Sequence, residues 1–86
     1  MDKVFKYPLQ ILDEQFVHMP KDAIILCVQV QRGVPCIWAS CDPDNTVIKR
    51  RIITYETGNP MRLNHGKYIG TYQMDSGMLV FHVFEG

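Results

Sequence analysis

The sequence lacks an excess of either charge. Nine lysines and arginines balance nine aspartates and glutamates, so the formal net charge is zero. Nonspecific binding to a nucleic-acid duplex needs a dense positive field, and the one basic cluster here is Lys49-Arg50-Arg51. Three cations are too few for a stripe along a duplex, so no duplex nucleic acid is expected as a partner.

Long apolar runs are also missing. No window approaches the roughly eighteen consecutive apolar residues of a membrane span, so no membrane partner is expected. The stretch 1–11, MDKVFKYPLQI, has no apolar core of the kind that signal peptides carry. We therefore expect a cytoplasmic protein, in a compartment where cysteine thiols normally stay reduced.

Sequence motifs for catalysis are absent as well. The chain contains no GxSxG, HExxH, Walker loop or GxGxxG. Ser40 and Ser76 are the only serines, and neither has the context of an activated nucleophile. A non-enzyme without cofactor or metal is therefore expected, although catalytic groups can assemble in space from distant positions. His82, within FHVF, is interpreted as a satisfied core or interface histidine, and His65 as a solvated loop histidine or a phosphate or ribose contact.

What the sequence does contain is a series of short β-prone runs separated by turn residues. Eighty-six residues suffice for one small domain, here 1–86. The pattern predicts an all-β fold, a small antiparallel β-sandwich or barrel, and a domain this small gains stability from forming a homo-oligomer. The predicted strands are Val4–Ile11, Gln15–Met19, Ala23–Gln31, Val34–Cys41, Val47–Tyr55, Tyr68–Met74 and Met78–Phe84.

Two of these runs also predict their own place in a sheet. Pro8 cannot donate to a strand ladder, so the first run is expected at an edge or at a bulge. The last run, MLVFHVF, is apolar on both faces except for His82, which predicts a central strand.

Arg32-Gly33 predicts a two-residue hairpin loop. Because strand side chains alternate, one face would then be wholly apolar and belong to the core, and the other would be mixed. The predicted cross-strand pairs are Gln31 with Val34, Gln29 with Cys36, Cys27 with Trp38 and Ile25 with Ser40. The predicted core face consists of Ile24, Leu26, Val28, Val30, Pro35, Ile37, Ala39 and Cys41.

The three cysteines fall on both faces of this hairpin. Cys27 and Cys36 are diagonal neighbours, and Cys41 lies on the opposite face, so no pair meets disulfide geometry and the three do not converge as zinc ligands do. We interpret them as small packing residues, with a reactive thiol, a disulfide or a metal site as alternatives. The mixed face around Trp38 suits a ligand, a second protomer or ordinary packing with a solvated edge.

The fifth run and the loop after it predict a binding site. Arginine on a strand next to isoleucines forms a surface ion pair or recognises an anion, and glycine-containing loops with Thr and Asn offer close approach and hydrogen bonds. Tyrosines and a tryptophan would add stacking surfaces for a base, as in a nucleotide pocket. The candidate ligand-binding residues are Arg50, Arg51, Tyr55, Thr57, Asn59, Tyr68 and Trp38.

An ordered set of motifs carries a resemblance: KYPLQI, MPKDAIILCVQVQ, GxPxxWA, DPDN, TGNP, YIGTYQ and LVFHVFE. Together they resemble a family of small phage- and prophage-encoded proteins of unknown function, along nearly the whole chain. The resemblance implies a bacterial host cell and no assigned residues. By analogy of class, it favours an anti-defence protein that sequesters a nucleotide-derived host immune signal, such as a cyclic nucleotide or a cyclic ADP-ribose-like molecule, without hydrolysis. The alternative is a protein–protein interaction module or an inhibitor of a host protein.

Overall fold

Seven strands account for most of the chain. The computed structural model describes residues 1–86, and 63% of them are in strands. All seven predicted runs are confirmed as strands, although the first ends at Pro8 rather than Ile11. The Leu9 N–H still donates to the Pro35 carbonyl at 2.8 Å, and the chain bends at Ile11. The strands are β1 (Lys3–Pro8), β2 (Glu14–Pro20), β3 (Ile24–Gln31), β4 (Val34–Cys41), β5 (Val47–Glu56), β6 (Lys67–Met74) and β7 (Leu79–Glu85), with a short 3₁₀ turn at Asp75–Gly77.

The strands form two antiparallel sheets that pack as a β-sandwich. One sheet has the order β1-β4-β3 and the other has the order β2-β5-β7-β6. Both positional predictions are confirmed: β1 is an edge strand that ends at Pro8, and β7 lies between β5 and β6. Two of the ladders are local hairpins, β3–β4 and β6–β7, whereas β1–β4, β2–β5 and β5–β7 join strands that are distant in sequence.

The β3–β4 hairpin has the predicted register along most of its length. Arg32 and Gly33 both have positive φ, 51° and 79°, as a tight primed turn requires. The pairs Gln31–Val34 and Cys27–Trp38 are confirmed, but Ser40 pairs with Ile24 and not with Ile25. A bulge between Ile25 and Cys27 inserts one extra residue into β3, and this reverses the faces beyond it.

The bulge also corrects the predicted core face. Val28, Ile37, Ala39 and Cys41 are buried as expected, and Pro35 is buried too. Ile24, Leu26 and Val30 are exposed. The bulge turns Ile24 outward and places Ile25 against the core instead. Val30 keeps the predicted pairing with Pro35 but lies next to the hairpin turn, outside the core cluster.

The core lies between the inner faces of the two sheets. Fully buried side chains from both sheets meet there, among them Ile37 and Cys41 from β4, Ile52 from β5 and Val83 from β7. A side chain at Gly70 would place its Cβ 2.8 Å from Val28 Cγ1, so the glycine allows β6 to approach β3 across the core. The three cysteines are unpaired; Cys36 and Cys41 are buried, and Cys27 is half-buried.

Candidate functional site

The outer face of the four-stranded sheet carries a row of side chains with hydrogen-bonding groups. Tyr55 on β5 pairs with His82 on β7, which pairs on its other side with Thr71 on β6. Because paired residues on neighbouring strands point to the same face of a sheet, these three side chains lie side by side. Phe84 and Tyr68 form the next pair along the same face.

Phe84 is the centre of an aromatic cluster on this face. Three rings stand with their edges toward it, and the ring centroids lie 5.7 Å (Tyr55), 5.4 Å (Tyr68) and 4.8 Å (His65) from that of Phe84. Edge-to-face contacts of this length are favourable. Phe84 is 8% exposed, whereas Tyr68 is 55% exposed. The central ring of the cluster is therefore buried, and at least one of the surrounding rings is accessible to solvent.

A chain of hydrogen bonds crosses the same face. Tyr68 Oη lies 2.6 Å from Thr71 Oγ1, and Thr71 Oγ1 lies 3.0 Å from His82 Nδ1. The other ring nitrogen, His82 Nε2, lies 2.7 Å from Thr57 Oγ1. Thr57 Oγ1 also donates to the Val80 carbonyl at 3.4 Å. His82 therefore connects a strand hydroxyl with a loop hydroxyl.

The loop after β5 is held close to this row. The Thr57 N–H donates to the Val80 carbonyl at 3.0 Å, and the Asn59 N–H donates to the Glu56 carbonyl at 3.0 Å. Gly58 has φ 93°, a conformation that glycine adopts at little cost. A tight turn at the end of β5 thus places Thr57 and Asn59 beside the aromatic cluster.

These features enclose an open cleft of about 350 Å³. It is called the aromatic cleft below, and it is lined by Tyr55, Thr57, Asn59, Tyr68, His82 and Phe84, with Glu56, Gly58 and Met61 at its border. Its size falls within the range of small-molecule sites. No lysine or arginine lines it.

A second cleft of about 310 Å³ shares two of these residues, Tyr55 and Asn59, and is called the flanking cleft. It also contains Asp13 and Arg62. The two clefts therefore lie on adjoining sides of Tyr55 and Asn59. Arg62 has an exposed side chain whose one ionic contact, 3.8 Å long, is with Glu14.

The structure brings together four of the seven predicted site residues. Tyr55, Thr57, Asn59 and Tyr68 all line the aromatic cleft. Arg51 extends from the outer face of the same sheet, but its Nε donates to the Glu14 carboxylate at 2.9 Å, and it lines neither cleft.

Arg50 lies on the opposite face of β5 from Arg51, as strand alternation predicted. Its guanidinium makes a two-point ion pair with Glu85 and donates to the Ala23 carbonyl at 2.9 Å. The hydrogen bonds with Glu85 raise the pKa of Arg50 against the opposing effect of burial. Arg50 therefore joins β5, β7 and the start of β3, and its hydrogen-bonding groups are already engaged.

Trp38 belongs to the other sheet. It lies on the outer face of β4, between Lys6 on β1 and Cys27 on β3, and lines neither cleft. Within one chain Trp38 and the tyrosines of the aromatic cleft are on opposite sides of the sandwich. Exposed apolar side chains surround the tryptophan, including Val4 at 59% and Ile24 at 63% exposure.

Sequence reasoning did not include His82, Thr71 or Phe84 in the site. His82 is indeed satisfied by two hydrogen bonds, but it is half-buried on the outer face of the sheet. The available signal was its position as the one polar residue in the apolar run MLVFHVF. Its neighbours Tyr55 and Thr71 follow only from the strand order β5-β7-β6.

A match over the whole chain decides the family. The model of a domain of unknown function, DUF7352, matches residues 1–86. The chain belongs to the DUF7352 family. No curated protein and no solved structure matches it. DUF7352 therefore confirms the expected membership of a family of unknown function, and it carries no assigned activity.

This DUF7352 chain has no cluster of metal-binding side chains and no membrane-spanning helix. No group of three or more His, Cys, Asp or Glu side chains is arranged to hold a metal ion. None of its elements is a helix with the length and apolarity needed to cross a membrane.

Proposed function

We propose that this chain is a binding protein that holds a nucleotide-type ligand in the aromatic cleft without converting it. The observation that carries the proposal is the grouping of Tyr55, Tyr68 and Phe84 beside a polar loop. Stacking of a base on an aromatic side chain contributes about 1–3 kcal/mol per base. A base on these rings would lie within reach of hydroxyl and amide groups suited to a ribose.

Each residue of the cleft has a part in this proposal. Tyr68, the most exposed of the three rings, stacks on the base, and Tyr55 closes the other side. Thr57 and Asn59 contact the ribose or phosphate from the loop. Arg50 lines a separate cleft of about 330 Å³ together with Tyr68, and we give it no part in the aromatic cleft, because Glu85 and the Ala23 carbonyl engage its guanidinium.

Charge limits the class of nucleotide. In and near the flanking cleft, Arg51 and Arg62 share the carboxylate of Glu14, and Asp13 adds a second negative charge. These four groups sum to zero, so a highly charged polyphosphate would gain little there. A cyclic nucleotide or a cyclic ADP-ribose-like molecule, with few charges per phosphate, fits better.

The biological role that we propose is sequestration of such a molecule as a host immune signal. It rests on the motif resemblance to phage and prophage proteins together with the aromatic cleft. The protein would act in the cytoplasm of a bacterial host, as a homo-oligomer that places several clefts on one particle. Sedimentation velocity over a range of concentrations tests the oligomer directly.

A thermal-shift screen against cyclic dinucleotides, cyclic trinucleotides and ADP-ribose derivatives tests the function. A ligand at one hundred times its Kd adds about 2.7 kcal/mol to the free energy of unfolding, which raises the Tm of a domain this size by roughly ten degrees or more. We expect Tyr68→Ala to abolish the shift. Phe16→Ala, which removes an exposed aromatic on the same sheet face outside the cleft, should keep it. No shift with any member of the panel would refute the proposal.

The fate of the ligand separates binding from catalysis. Thr57 and His82 are close enough for a hydroxyl to be activated by an imidazole, but the group that orients His82 is a threonine rather than a carboxylate that would stabilise an imidazolium. We therefore expect that ligand released by heating the complex is chemically intact. Recovery of a product would make the protein an enzyme.

The outer face of the three-stranded sheet supports a second candidate, a protein–protein interaction module. Trp38 lies there, and the exposed side chains of Val4 and Ile24 flank Ser40, the next residue of β4 on the same face. Aromatic residues with apolar neighbours are typical of interface centres. Trp38→Ala would then abolish capture of a host protein in a pull-down, while no nucleotide shifts the Tm. Capture that survives this substitution would remove Trp38 from the interface.

A further inference from the structure

The hydrogen-bond chain across the aromatic cleft has a direction. It runs from Tyr68 through Thr71, His82 and Thr57 to the Val80 carbonyl, with links of 2.6, 3.0, 2.7 and 3.4 Å. Each hydroxyl has one hydrogen to donate, and a neutral imidazole has one N–H and one acceptor nitrogen. When each hydroxyl donates to one neighbour in the hydrogen-bond chain and accepts from the other, the direction of one link sets the direction of the rest.

With a neutral imidazole, the Val80 carbonyl selects the direction. Thr57 donates to that carbonyl, so its oxygen accepts a hydrogen from His82 Nε2, and Nδ1 then accepts from Thr71. Thr71 in turn accepts from Tyr68, whose hydrogen is consumed inside the chain. The opposite tautomer would take the Thr57 hydrogen for Nε2 and lose the bond to Val80. In the favoured state, Tyr68 offers the cleft only an acceptor.

With a protonated imidazole, the hydrogen bonds between His82, Thr71 and Tyr68 reverse their donor and acceptor roles. Both ring nitrogens of His82 then donate, Nε2 to Thr57 and Nδ1 to Thr71. Thr71 then accepts from Nδ1, so its own hydrogen is free to donate to Tyr68, and the hydrogen of Tyr68 is released toward the cleft. The bond from Thr57 to Val80 is kept. Protonation thus changes Tyr68 from an acceptor into a donor and adds a positive charge behind it.

The charged and titratable groups around His82 make this change matter for binding. Tyr55 faces it from β5 and Tyr68 from β6, and His65 lies against the neighbouring ring of Phe84. Glu56 lines the cleft too, but it pairs with Phe81 and therefore follows the opposite face of β5. None of them is a lysine or arginine. Within the aromatic cleft, His82 is the one lining residue whose side chain becomes a cation by taking up a proton.

We infer that His82 is a positioning residue that acts through Thr71 and Tyr68, so that the cleft binds a phosphate oxygen with uptake of one proton. The inference rests on the proposed function and deepens it, because it names which part of the ligand His82 serves. A ligand without a phosphate would bind with the chain in its neutral direction and without proton uptake.

Isothermal titration calorimetry in two buffers of different ionisation enthalpy measures proton uptake. The probes are adenosine 3′,5′-cyclic monophosphate and adenosine, which share the base and differ in the phosphate. At a pH where free His82 is neutral, we expect uptake of about one proton with the cyclic nucleotide and none with adenosine. The Kd of the cyclic nucleotide should then increase by up to about tenfold for each unit by which the pH is raised.

Three variants test whether proton uptake depends on the hydrogen-bond chain from His82 through Thr71 to Tyr68. His82→Gln keeps one donor and one acceptor but cannot be protonated, so proton uptake and the pH dependence of the Kd should disappear. Thr71→Val should do the same by cutting His82 from Tyr68. His18→Gln is the matched control, because His18 is exposed on the outer face of the same sheet and lines neither cleft, and it should behave as the wild type. Uptake that persists in His82→Gln overturns the inference.

Nitrogen-15 spectra of the histidine rings test the chain without any nucleotide. Neutral His82 should show the Nε2–H form, and inorganic phosphate at constant pH should move its signals toward the doubly protonated form. An Nδ1–H form, or phosphate that moves only the His65 signals, would overturn the inference. The two proposals fail separately. If the cyclic nucleotide binds without proton uptake, the inferred role of His82 is wrong but the proposed function stands. If no nucleotide of the panel shifts the Tm while the histidine spectra are as expected, the proposed function is wrong but the inferred hydrogen-bond chain stands.

Discussion

At the scale of single residues, Gly70 sets how closely the two sheets approach. A Cβ at this position would lie 2.8 Å from Val28 Cγ1, and Val28 is 5% exposed with a β-branched side chain that cannot move aside easily. We expect Gly70→Ala to lower the free energy of unfolding by about 1–3 kcal/mol, as overpacked cores do. Chemical denaturation measures the change.

The partner residue provides the control for this prediction. Val28→Ala alone also destabilises the core because it leaves a cavity, but it frees the space that a methyl group at Gly70 needs. The double variant should therefore be more stable than the sum of the two single changes predicts. Strictly additive losses would mean that Val28 is not what limits the approach of β6.

Tyr7 makes the stability depend on alkaline pH. Burial, together with the contact with Cys41 Sγ at 3.6 Å, raises the pKa of Tyr7 to about 12, whereas tyrosine in an unfolded chain ionises near pH 10. The folded state thus disfavours the phenolate, and stability falls as the pH rises from about 10 to about 12. We expect Tyr7→Phe to flatten this fall in denaturation experiments. Tyr68→Phe, at an exposed position, should not, and an equal effect of the two would contradict the assignment.

At the scale of elements, the Arg50–Glu85 pair joins strands that the sequence separates. Their side chains are only 18% and 22% exposed. The pair is therefore intermediate between exposed ion pairs, which contribute little to the free energy of unfolding, and fully buried ones, whose disruption lowers it strongly. We expect Arg50→Ala to lower the free energy of unfolding by about 1–3 kcal/mol, and a double-mutant cycle with Glu85→Ala to show coupling. Arg51→Ala, which breaks the more exposed pair with Glu14, should lower it by less than about 1 kcal/mol. Equal losses would contradict a structural role special to Arg50.

The elements also show what the sequence could predict. Turn residues bounded nearly every strand, and positive φ at Arg32-Gly33 fixed the hairpin register as far as Cys27. The bulge beyond it was not predictable, because residues 24–28 are all apolar and contain no alternation to mark a change of face. The turns could thus be predicted from their residues. Which side chains of a uniformly apolar strand face the core could not.

At the scale of the whole molecule, the candidate site depends on strand order. Thr57 and Tyr55 were predictable together because they are only two positions apart in the chain, and alternation separated Arg50 from Arg51. His82 reaches Thr57 and Thr71 only because β7 lies between β5 and β6. A ladder between distant strands leaves no mark on the local sequence, which is why the centre of the site had to come from the structure.

The same long-range ladders predict slow folding. Lys3 pairs with Cys41, and Glu14 pairs with Ile53, so much of the chain must be ordered before either ladder can form. Folds of this kind refold in milliseconds to seconds, whereas locally connected helical domains need microseconds to milliseconds.

Trp38 is a direct probe of this step, because it is the one tryptophan and its strand pairs with β1 on one side and β3 on the other. We expect stopped-flow refolding to show a tryptophan fluorescence phase in the millisecond-to-second range. Phe5→Ala, which removes a side chain of β1 that packs on the core, should speed unfolding more than it slows refolding if β1 docks last. Refolding completed within the mixing time would contradict control by the long-range ladders, and a purely slower refolding rate would place β1 in the folding nucleus instead.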